Sequence, residues 1–310
     1  MPRPLAVEIL DAIVSTYRSH RAASGPRADR TFEVGEFDRL EIAGPFDVEV
    51  TTGVEPGVRA YGAEEALECL SVEHDGGRLL IGCEGDCDGD LTVTVAMKEL
   101  LGLRMAGSGD VAIDRVAGAA FECSSSGSGD LSVDEIESPV LTLSGAGSGD
   151  IRIDKVRSSQ FDATLMGSGD LTVDAVEGAE FKLAMSGSGD AQVDDFCGDR
   201  IDASLAGSGD LSLESIEAAS AKLSSFGSGD ICIGEGRVNS ITLETSGSGD
   251  ISTEGLEAAA LTISVCGSGD ISARASESAE IVVMGSGDVS VIGGAKCSIR
   301  GSGSGEVACS

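Results

Sequence analysis

The sequence predicts an all-β fold, a right-handed parallel β-helix (a solenoid) with coils of about 20 residues and a short N-terminal helix. The tetrapeptide Gly-Ser-Gly-Asp recurs every 20 residues from Gly107 to Gly267, then after 18 residues at Gly285. It recurs once more, as Gly-Ser-Gly-Glu, at Gly303. Between tetrapeptides, apolar residues alternate with polar or small ones, which is typical of strands with one buried face.

Each repeat contains two alternating segments, such as Leu171 and Val173, followed by Phe181, Leu183 and Met185. Every position keeps its phase from repeat to repeat. This favours parallel stacking, because identical residues of successive coils then lie about 4.8 Å apart. Antiparallel hairpins in a β-sandwich, the alternative, would not keep the phase. The general preference of parallel crossovers predicts a right-handed coil.

The chain divides into three expected regions. Residues 1–30 form an N-terminal helix and linker, in which Leu5–Tyr17 has the apolar spacing of an amphipathic helix and Ser19–Arg30 is a linker. Residues 31–105 lack the tetrapeptide but alternate, and are expected to form irregular first β-coils of the solenoid. Residues 106–310 form the regular repeat β-helix.

The formal net charge of -32 argues against nucleic-acid binding through phosphates and against docking on anionic lipid. No run of 18 apolar residues predicts a membrane span. Glu8 and Asp11 interrupt the first apolar stretch, so no signal peptide is recognised and the cytoplasm is slightly favoured, although localisation stays unknown.

The nine cysteines are odd in number and fall at different phases of the repeat. A disulfide framework favours an even count. We therefore expect most of them to be small buried hydrophobic side chains, which favours a reducing compartment. Cys83 and Cys87 could bind zinc, but the only histidine near them is His74.

Two explanations remain open for the tetrapeptide. Its glycines permit positive φ at a tight corner, and its aspartate can accept hydrogen bonds from nearby amides, as in Asx-turns. Stacked carboxylates repel by about 1 kcal/mol in water and about 3–4 kcal/mol at an effective dielectric constant of about 20. Backbone donors, water and screening can offset this repulsion, which is the favoured explanation. The alternative is calcium, the one candidate cofactor, bound by the column Asp110, Asp130, Asp150, Asp170, Asp190, Asp210, Asp230, Asp250, Asp270 and Asp288.

A second, partial acidic column follows four residues after the first. Residues four apart on a strand face the same side, so both columns are expected to point outward together. The second column consists of Asp114, Asp134, Asp154, Asp174, Asp194, Glu214 and Glu254.

No catalytic residues are predicted, because the carboxylates repeat without a unique constellation and neither His20 nor His74 lies in the repeats. The sequence favours a non-enzymatic structural or binding protein. The alternatives are a calcium-binding acidic solenoid, an acidic rod that mimics DNA and, least favoured, a polysaccharide-active enzyme.

The segments Phe37–Ile42 and Gly44–Val50, followed by the tetrapeptide turns, resemble the bacterial head GIN domain family of putative auto-transporter adhesins. The resemblance covers roughly residues 31–310. It implies a right-handed parallel β-helix and an adhesive role at the cell surface, with an unknown protein or glycan as ligand. It implies no catalytic residues.

The segment Gly301–Ser310 stops within a repeat and contains no obvious capping element. An uncovered coil exposes unpaired strand edges, which favour pairing with another chain. We expect self-association through the C-terminal end of the solenoid.

Overall fold

The computed structural model describes residues 26–85 and 90–310, which form a β-solenoid with coils of about 20 residues. One helix, α1, spans Glu64–Cys69 within the described part. The N-terminal strands are β1 Arg27–Phe32, β2 Arg39–Gly44, β3 Asp47–Thr51, β4 Gly57–Ala63, β5 Leu70–Asp75, β6 Arg78–Cys83 and β7 Leu91–Ala96. The strands of the repeats are β8 Gly102–Gly107, β9 Val111–Ala117, β10 Phe121–Gly127, β11 Leu131–Glu137, β12 Val140–Gly145, β13 Ile151–Leu165, β14 Leu171–Met185, β15 Ala191–Leu205, β16 Leu211–Ser225, β17 Ile231–Thr245, β18 Ile251–Val265, β19 Ile271–Val283, β20 Val289–Ile292, β21 Lys296–Gly301 and β22 Val307–Cys309.

Successive coils pair in parallel and in the register that the repeat predicts. Ile151 lies beside Leu171, one 20-residue period later. Where the tetrapeptides are 18 residues apart, paired residues of neighbouring coils are also 18 residues apart, so Ile281 lies beside Ile299. The predicted β-solenoid is therefore confirmed.

Each of the 15-residue strands, β13 to β18, bends twice. In β13 the pairing with β14 omits Asp154 and Ser159. The spacing of buried residues changes from two to three at both places, for example from Ile153 to Val156. In these coils the chain therefore turns at two bends and at the tetrapeptide. Val156 lies in the short segment between the bends.

The core is a continuous column of inward-facing apolar side chains. Phe161 and Phe181 stack with their ring centroids 4.8 Å apart, and Phe196 follows 6.1 Å from Phe181. All three are buried. Fully burying one such side chain contributes about 1.5–3 kcal/mol, so the repeated core positions stabilise the stack of coils.

The order of the first coils in space differs from their order in the sequence. β2 lies between β6 and β8, and β3 lies between β7 and β9, all in parallel. The later coil β6–β7 is therefore outermost. Antiparallel strands cover it, with β5 on β6, β4 on β7 and β1 on β4.

Leu5–Tyr17, expected to be a helix, lies outside the described residues. Arg27–Arg30, expected to belong to the linker, instead pair with β4 as part of β1. The helix α1 was not predicted. No helix among residues 26–85 and 90–310 is long and apolar enough to cross a membrane.

The interpretation of the cysteines as buried hydrophobic residues is wrong for most of those described. Cys123 is buried, and burial raises the pKa of its thiol to about 12. Cys297 and Cys309 form a disulfide between the two strands of the last coil, with Cα atoms 6.7 Å apart. Cys83 is also disulfide-bonded, which contradicts a zinc site there. The exposed thiols are Cys197, Cys232 and Cys266.

The tetrapeptide glycines are required by close stacking rather than by left-handed φ. Of these glycines, Gly107 and Gly127 alone have a positive φ, at 155° and 152°, which residues with a Cβ rarely adopt. A Cβ atom at Gly169 would overlap the backbone carbonyl of Gly149 in the neighbouring coil. The same overlap recurs along the column, so neighbouring turns approach too closely for any side chain at these positions.

Replacing a stacked glycine should therefore destabilise the rod. We expect Gly169→Ala to lower the free energy of unfolding by about 1–3 kcal/mol, since the turns must separate to admit the methyl group. Gly57→Ala is the matched control, because nothing lies within 4 Å of its new Cβ. Urea denaturation of both variants checks this. Equal effects of the two substitutions would contradict the close-stacking explanation.

Candidate functional site

The tetrapeptide turns stack into one continuous column along the rod. The amide of Ser168 donates to the carbonyl of Gly147 in the preceding coil at 3.0 Å. On the other side of the turn, the amide of Ile151 donates to the carbonyl of Asp170 at 2.8 Å. The turns are therefore joined by the same kind of inter-coil hydrogen bonds as the strands, and their outer surface is held in register.

The aspartates form a side-chain ladder in this column. The backbone amide of Asp170 donates to Oδ1 of Asp150 at 2.9 Å. The Asx-turn expected from the sequence is replaced by a bond to the neighbouring coil. The bond recurs at 2.7–3.1 Å through Asp47, Asp110, Asp130, Asp150, Asp170, Asp190, Asp210, Asp230, Asp250, Asp270, Asp288 and the amide of Glu306.

The ladder explains why each turn carries an aspartate. The carboxylate supplies the acceptor that the next aspartate amide bonds, so every coil both donates and accepts at this position. Hydrogen bonds to charged groups contribute about 1.5–3 kcal/mol, comparable to the repulsion of about 3–4 kcal/mol between stacked carboxylates at an effective dielectric constant of about 20. Exposure to water lowers that repulsion further.

The calcium candidates all lie in this ladder. One oxygen of each, from Asp110 to Asp288, already accepts a protein amide. Among the described residues, no group of three or more His, Cys, Asp or Glu side chains is arranged to hold a metal ion. Calcium binding by the column stays a prediction.

The second acidic column is also exposed, and basic residues cross-link part of it. Arg152 bridges Asp154 at 3.3 Å and Asp174 of the next coil at 2.7 Å. Where no such partner lies close, the charges repel. The pKa of Asp134 is raised by partial burial and by the carboxylates of Asp154 and Asp114.

A second group of ion pairs joins three coils on the short middle segments. Arg157 lies between Glu135 of the preceding coil and Glu177 of the next, the latter at 3.2 Å. Lys155 lies 3.3 Å from Glu177. Hydrogen bonds from Lys155 and Arg157 lower the pKa of Glu177.

Two surfaces run along the aspartate column, one that includes its carboxylates and one beside them. The first, which we call the carboxylate–serine face, is a shallow groove on the last coils in which aspartates alternate with hydroxyl groups. Ser272 donates to Ser252 across neighbouring coils at 3.3 Å. Its lining includes Asp250, Ser252, Asp270, Ser272, Asp288 and Ser290.

The second surface, which we call the uncharged band, consists of the residue before each tetrapeptide together with its Gly-Ser-Gly. No charged side chain occupies any of these positions from residue 106 to residue 305. Met166, Phe226 and Met284 project from it with 55%, 52% and 57% of their surface exposed.

The site has no histidine in the part of the chain that the structure describes. His74 lies in the N-terminal region, where its Nε2 is 3.0 Å from the carbonyl oxygen of Glu36 and its ring is 6.4 Å from that of Phe37. His20 lies outside the described residues. Instead, the aspartates of the ladder recur in successive coils from Asp110 to Asp288, and the serines of the carboxylate–serine face recur at Ser252, Ser272 and Ser290.

Removing one rung of the aspartate ladder should weaken the stack. We expect Asp210→Ala to lower the free energy of unfolding by about 1–2 kcal/mol, because the amide of Asp230 loses its acceptor. Asp210→Asn keeps an oxygen at the same place and should retain most of the stability. Urea denaturation compares the two. An asparagine variant as unstable as the alanine variant would contradict the hydrogen-bond explanation.

Asp134 and Glu177 should give opposite pH dependences. The raised pKa of Asp134 means that the native state binds more protons than the unfolded chain, so stability falls as the pH rises through the raised pKa. The lowered pKa of Glu177 gives stability that is present above its unfolded pKa and lost as the pH falls. At pH 7, Asp134→Asn should be more stable than the wild type and Glu177→Gln less stable.

Denaturation midpoints at neutral and acidic pH check both signs. Each difference from the wild type should shrink as the pH falls below the two pKa values. A difference that stays constant with pH would show that the substitution acts through packing.

Several solved structures are similar to the chain at low identity. A putative adhesin from Parabacteroides distasonis ATCC 8503 is 16% identical, with 92% of this chain and 98% of that chain covered and a TM-score of 0.43. A putative adhesin from Bacteroides fragilis NCTC 9343 is 17% identical, with 93% and 98% covered and a TM-score of 0.33. A putative lipid binding protein from Parabacteroides distasonis ATCC 8503 is 19% identical, with 92% and 97% covered and a TM-score of 0.37.

No curated protein matches the sequence. The family described as "Putative auto-transporter adhesin, head GIN domain" matches residues 36–210 and 182–295. These matches span most of the chain and include strands β2 to β20 and every tetrapeptide turn except the one at Gly303. The resemblance seen in the sequence is thereby confirmed, and the chain belongs to the head GIN domain family of putative auto-transporter adhesins.

Proposed function

We propose that the protein is a non-enzymatic, adhesin-like rod that binds a protein or glycan along its carboxylate–serine face. The observation that carries this proposal is the repetition of the face. The aspartate–serine pair recurs in three successive coils, from Asp250 and Ser252 to Asp288 and Ser290, and is held by ladder bonds such as that from the amide of Asp270 to Asp250 at 2.7 Å. Such a surface suits an extended ligand that makes the same polar contact in each of these coils.

The chemistry of the face fits recognition rather than turnover. Hydroxyl groups of a glycan or amides of a polypeptide can donate to the free carboxylate oxygens and exchange hydrogen bonds with the serines. Repeated contacts of this kind gain affinity through multivalency. No position in the groove differs from its neighbours in the way that a catalytic acid, base or nucleophile would have to differ.

We further propose that the rod functions at the cell surface. The family description supports this location. The disulfides at Cys83 and between Cys297 and Cys309 support an oxidising environment rather than the cytoplasm that the sequence slightly favoured.

A binding experiment tests the proposed face. The full chain is applied to immobilised glycans and extracellular proteins, beside a triple variant with Ser252→Arg, Ser272→Arg and Ser290→Arg. The bulky side chains should abolish saturable binding. The matched control places the same three arginines at Ser220, Ser240 and Ser278, which share one stacked position outside the groove. Ser240 and Ser278 are exposed there and Ser220 is half-buried. Equal losses in both variants, or no binding by the wild type, would contradict the proposal.

Self-association at the C-terminal end remains part of the proposal. β21 pairs with β19, and β22 with β20, with no further pairing among the described strands. Ile299 is 51% exposed directly above buried Ile281. An open strand edge with an apolar residue beside it favours a second copy.

Ile299→Asp should weaken this association at least tenfold in sedimentation experiments, because a charge would replace the apolar contact. Val140→Asp is the control, since Val140 is similarly apolar and 40% exposed but lies far along the solenoid. A wild type that stays monomeric at high concentration would contradict the proposal.

A further inference from the structure

The uncharged band contains a column of residues that immediately precede the tetrapeptides. Three of the five exposed large hydrophobic residues in the described part of the chain lie in this single column, namely Met166, Phe226 and Met284. The whole column reads Ala106, Ser126, Ala146, Met166, Ser186, Ala206, Phe226, Ser246, Cys266, Met284 and Ser302.

The backbone holds this column in register. The amides of Met166, Phe226 and Met284 each donate to a carbonyl of the preceding coil at 2.8 Å. Phe226 is three coils from Met166 and three coils from Met284. At about 4.8 Å for each coil, the phenyl ring lies about 14 Å from each methionine.

The column is close to symmetric about Phe226. From Met166 to Met284 it reads Met-Ser-Ala-Phe-Ser-Cys-Met, so small residues separate the three large ones on both sides. A two-fold axis perpendicular to the rod at Phe226 would bring two phenyl rings together. The same axis would place Met166 of each copy against Met284 of the other. A self-complementary patch of this kind is what a two-fold homodimer requires.

Charge confines any contact with a second copy to this band. Two chains of formal charge -32 repel, and the repulsion is smallest where both surfaces lack carboxylates. The strand position two residues before this column is also largely uncharged. In the coils from Ala146 to Ser302 it contains Ser144, Thr164, Ala184, Ser204, Ser224, Ser264 and Val282, with Glu244 and Arg300 as the exceptions. Glu244 is paired with Lys222 at 3.2 Å.

The available area suits a weak dimer. Nine coils, from Ala146 to Ser302, overlap when Phe226 lies on the axis. They give a contact about 38 Å long and about 15 Å wide, or about 1,200 Å² in total over both copies, at the lower limit of stable interfaces.

We propose that two copies of this chain associate side by side and antiparallel through the uncharged band, centred on Phe226. The contact is distinct from the pairing proposed for the last coil. It should strengthen as salt is added, because salt screens the mutual repulsion of the two acidic rods.

Sedimentation velocity over a range of protein and salt concentrations tests the interface. Phe226→Asp should weaken dimerisation at least tenfold, while Val140→Asp leaves it unchanged. Circular dichroism confirms that both variants fold. A dimer that is unaffected by Phe226→Asp, or that dissociates as salt is added, would overturn the proposal.

Cross-linking tests the orientation independently. In a background with Cys197→Ser, Cys232→Ser and Cys266→Ser, a Met166→Cys chain is mixed with a Met284→Cys chain and treated with a short thiol cross-linker. The antiparallel dimer should give the mixed cross-linked species, with little from either chain alone. Cross-linking of the Met166→Cys chain to itself in preference to the mixed pair would overturn the antiparallel arrangement.

Discussion

The hydrogen bond between an aspartate carboxylate and the next aspartate's amide is the contact on which the order of the rod depends. At a turn the chain reverses and backbone groups tend to lose their partners. Here Oδ1 of Asp190 accepts the amide of Asp210 at 2.8 Å. The glycines beside it let neighbouring turns approach closely enough for that bond. The aspartate charge, the glycine turn and the register of the coils therefore depend on one another. Each repeat must supply both the aspartate and the glycines.

The charge distribution on the rest of the surface is explained by the many carboxylates that the stacked coils bring close together. Arg152 and Arg157 bridge coils and neutralise acidic neighbours in the first repeats. Asp134 has no such bridge, and its pKa is raised as a result of its surroundings. The uncharged band lies beside the aspartate ladder. It is a strip without carboxylates on which an apolar surface of another molecule can pack.

The repeat period and the alternation of apolar residues were enough to predict the solenoid, because parallel stacking forces identical positions together. They were not enough to predict the spatial order of the first coils. The segments around Val48 and Val93 both alternate without a tetrapeptide, so nothing in the sequence shows that β3 lies between β7 and β9. That each aspartate accepts a hydrogen bond from the next coil could not be predicted without knowing the register of the coils. The Cys297–Cys309 disulfide could not be predicted without knowing the path of the last coil.

Amide hydrogen exchange resolved at Asp190 tests the ladder most directly. In the wild type this amide donates to Oδ1 of Asp170 at 2.8 Å. Asp170→Ala removes that acceptor and leaves the strands on both sides in place. The account predicts that exchange at Asp190 becomes at least tenfold faster, while amides of the buried strand residues in the same coil keep their protection. Unchanged exchange at Asp190 would show that the carboxylates do not hold the coils together.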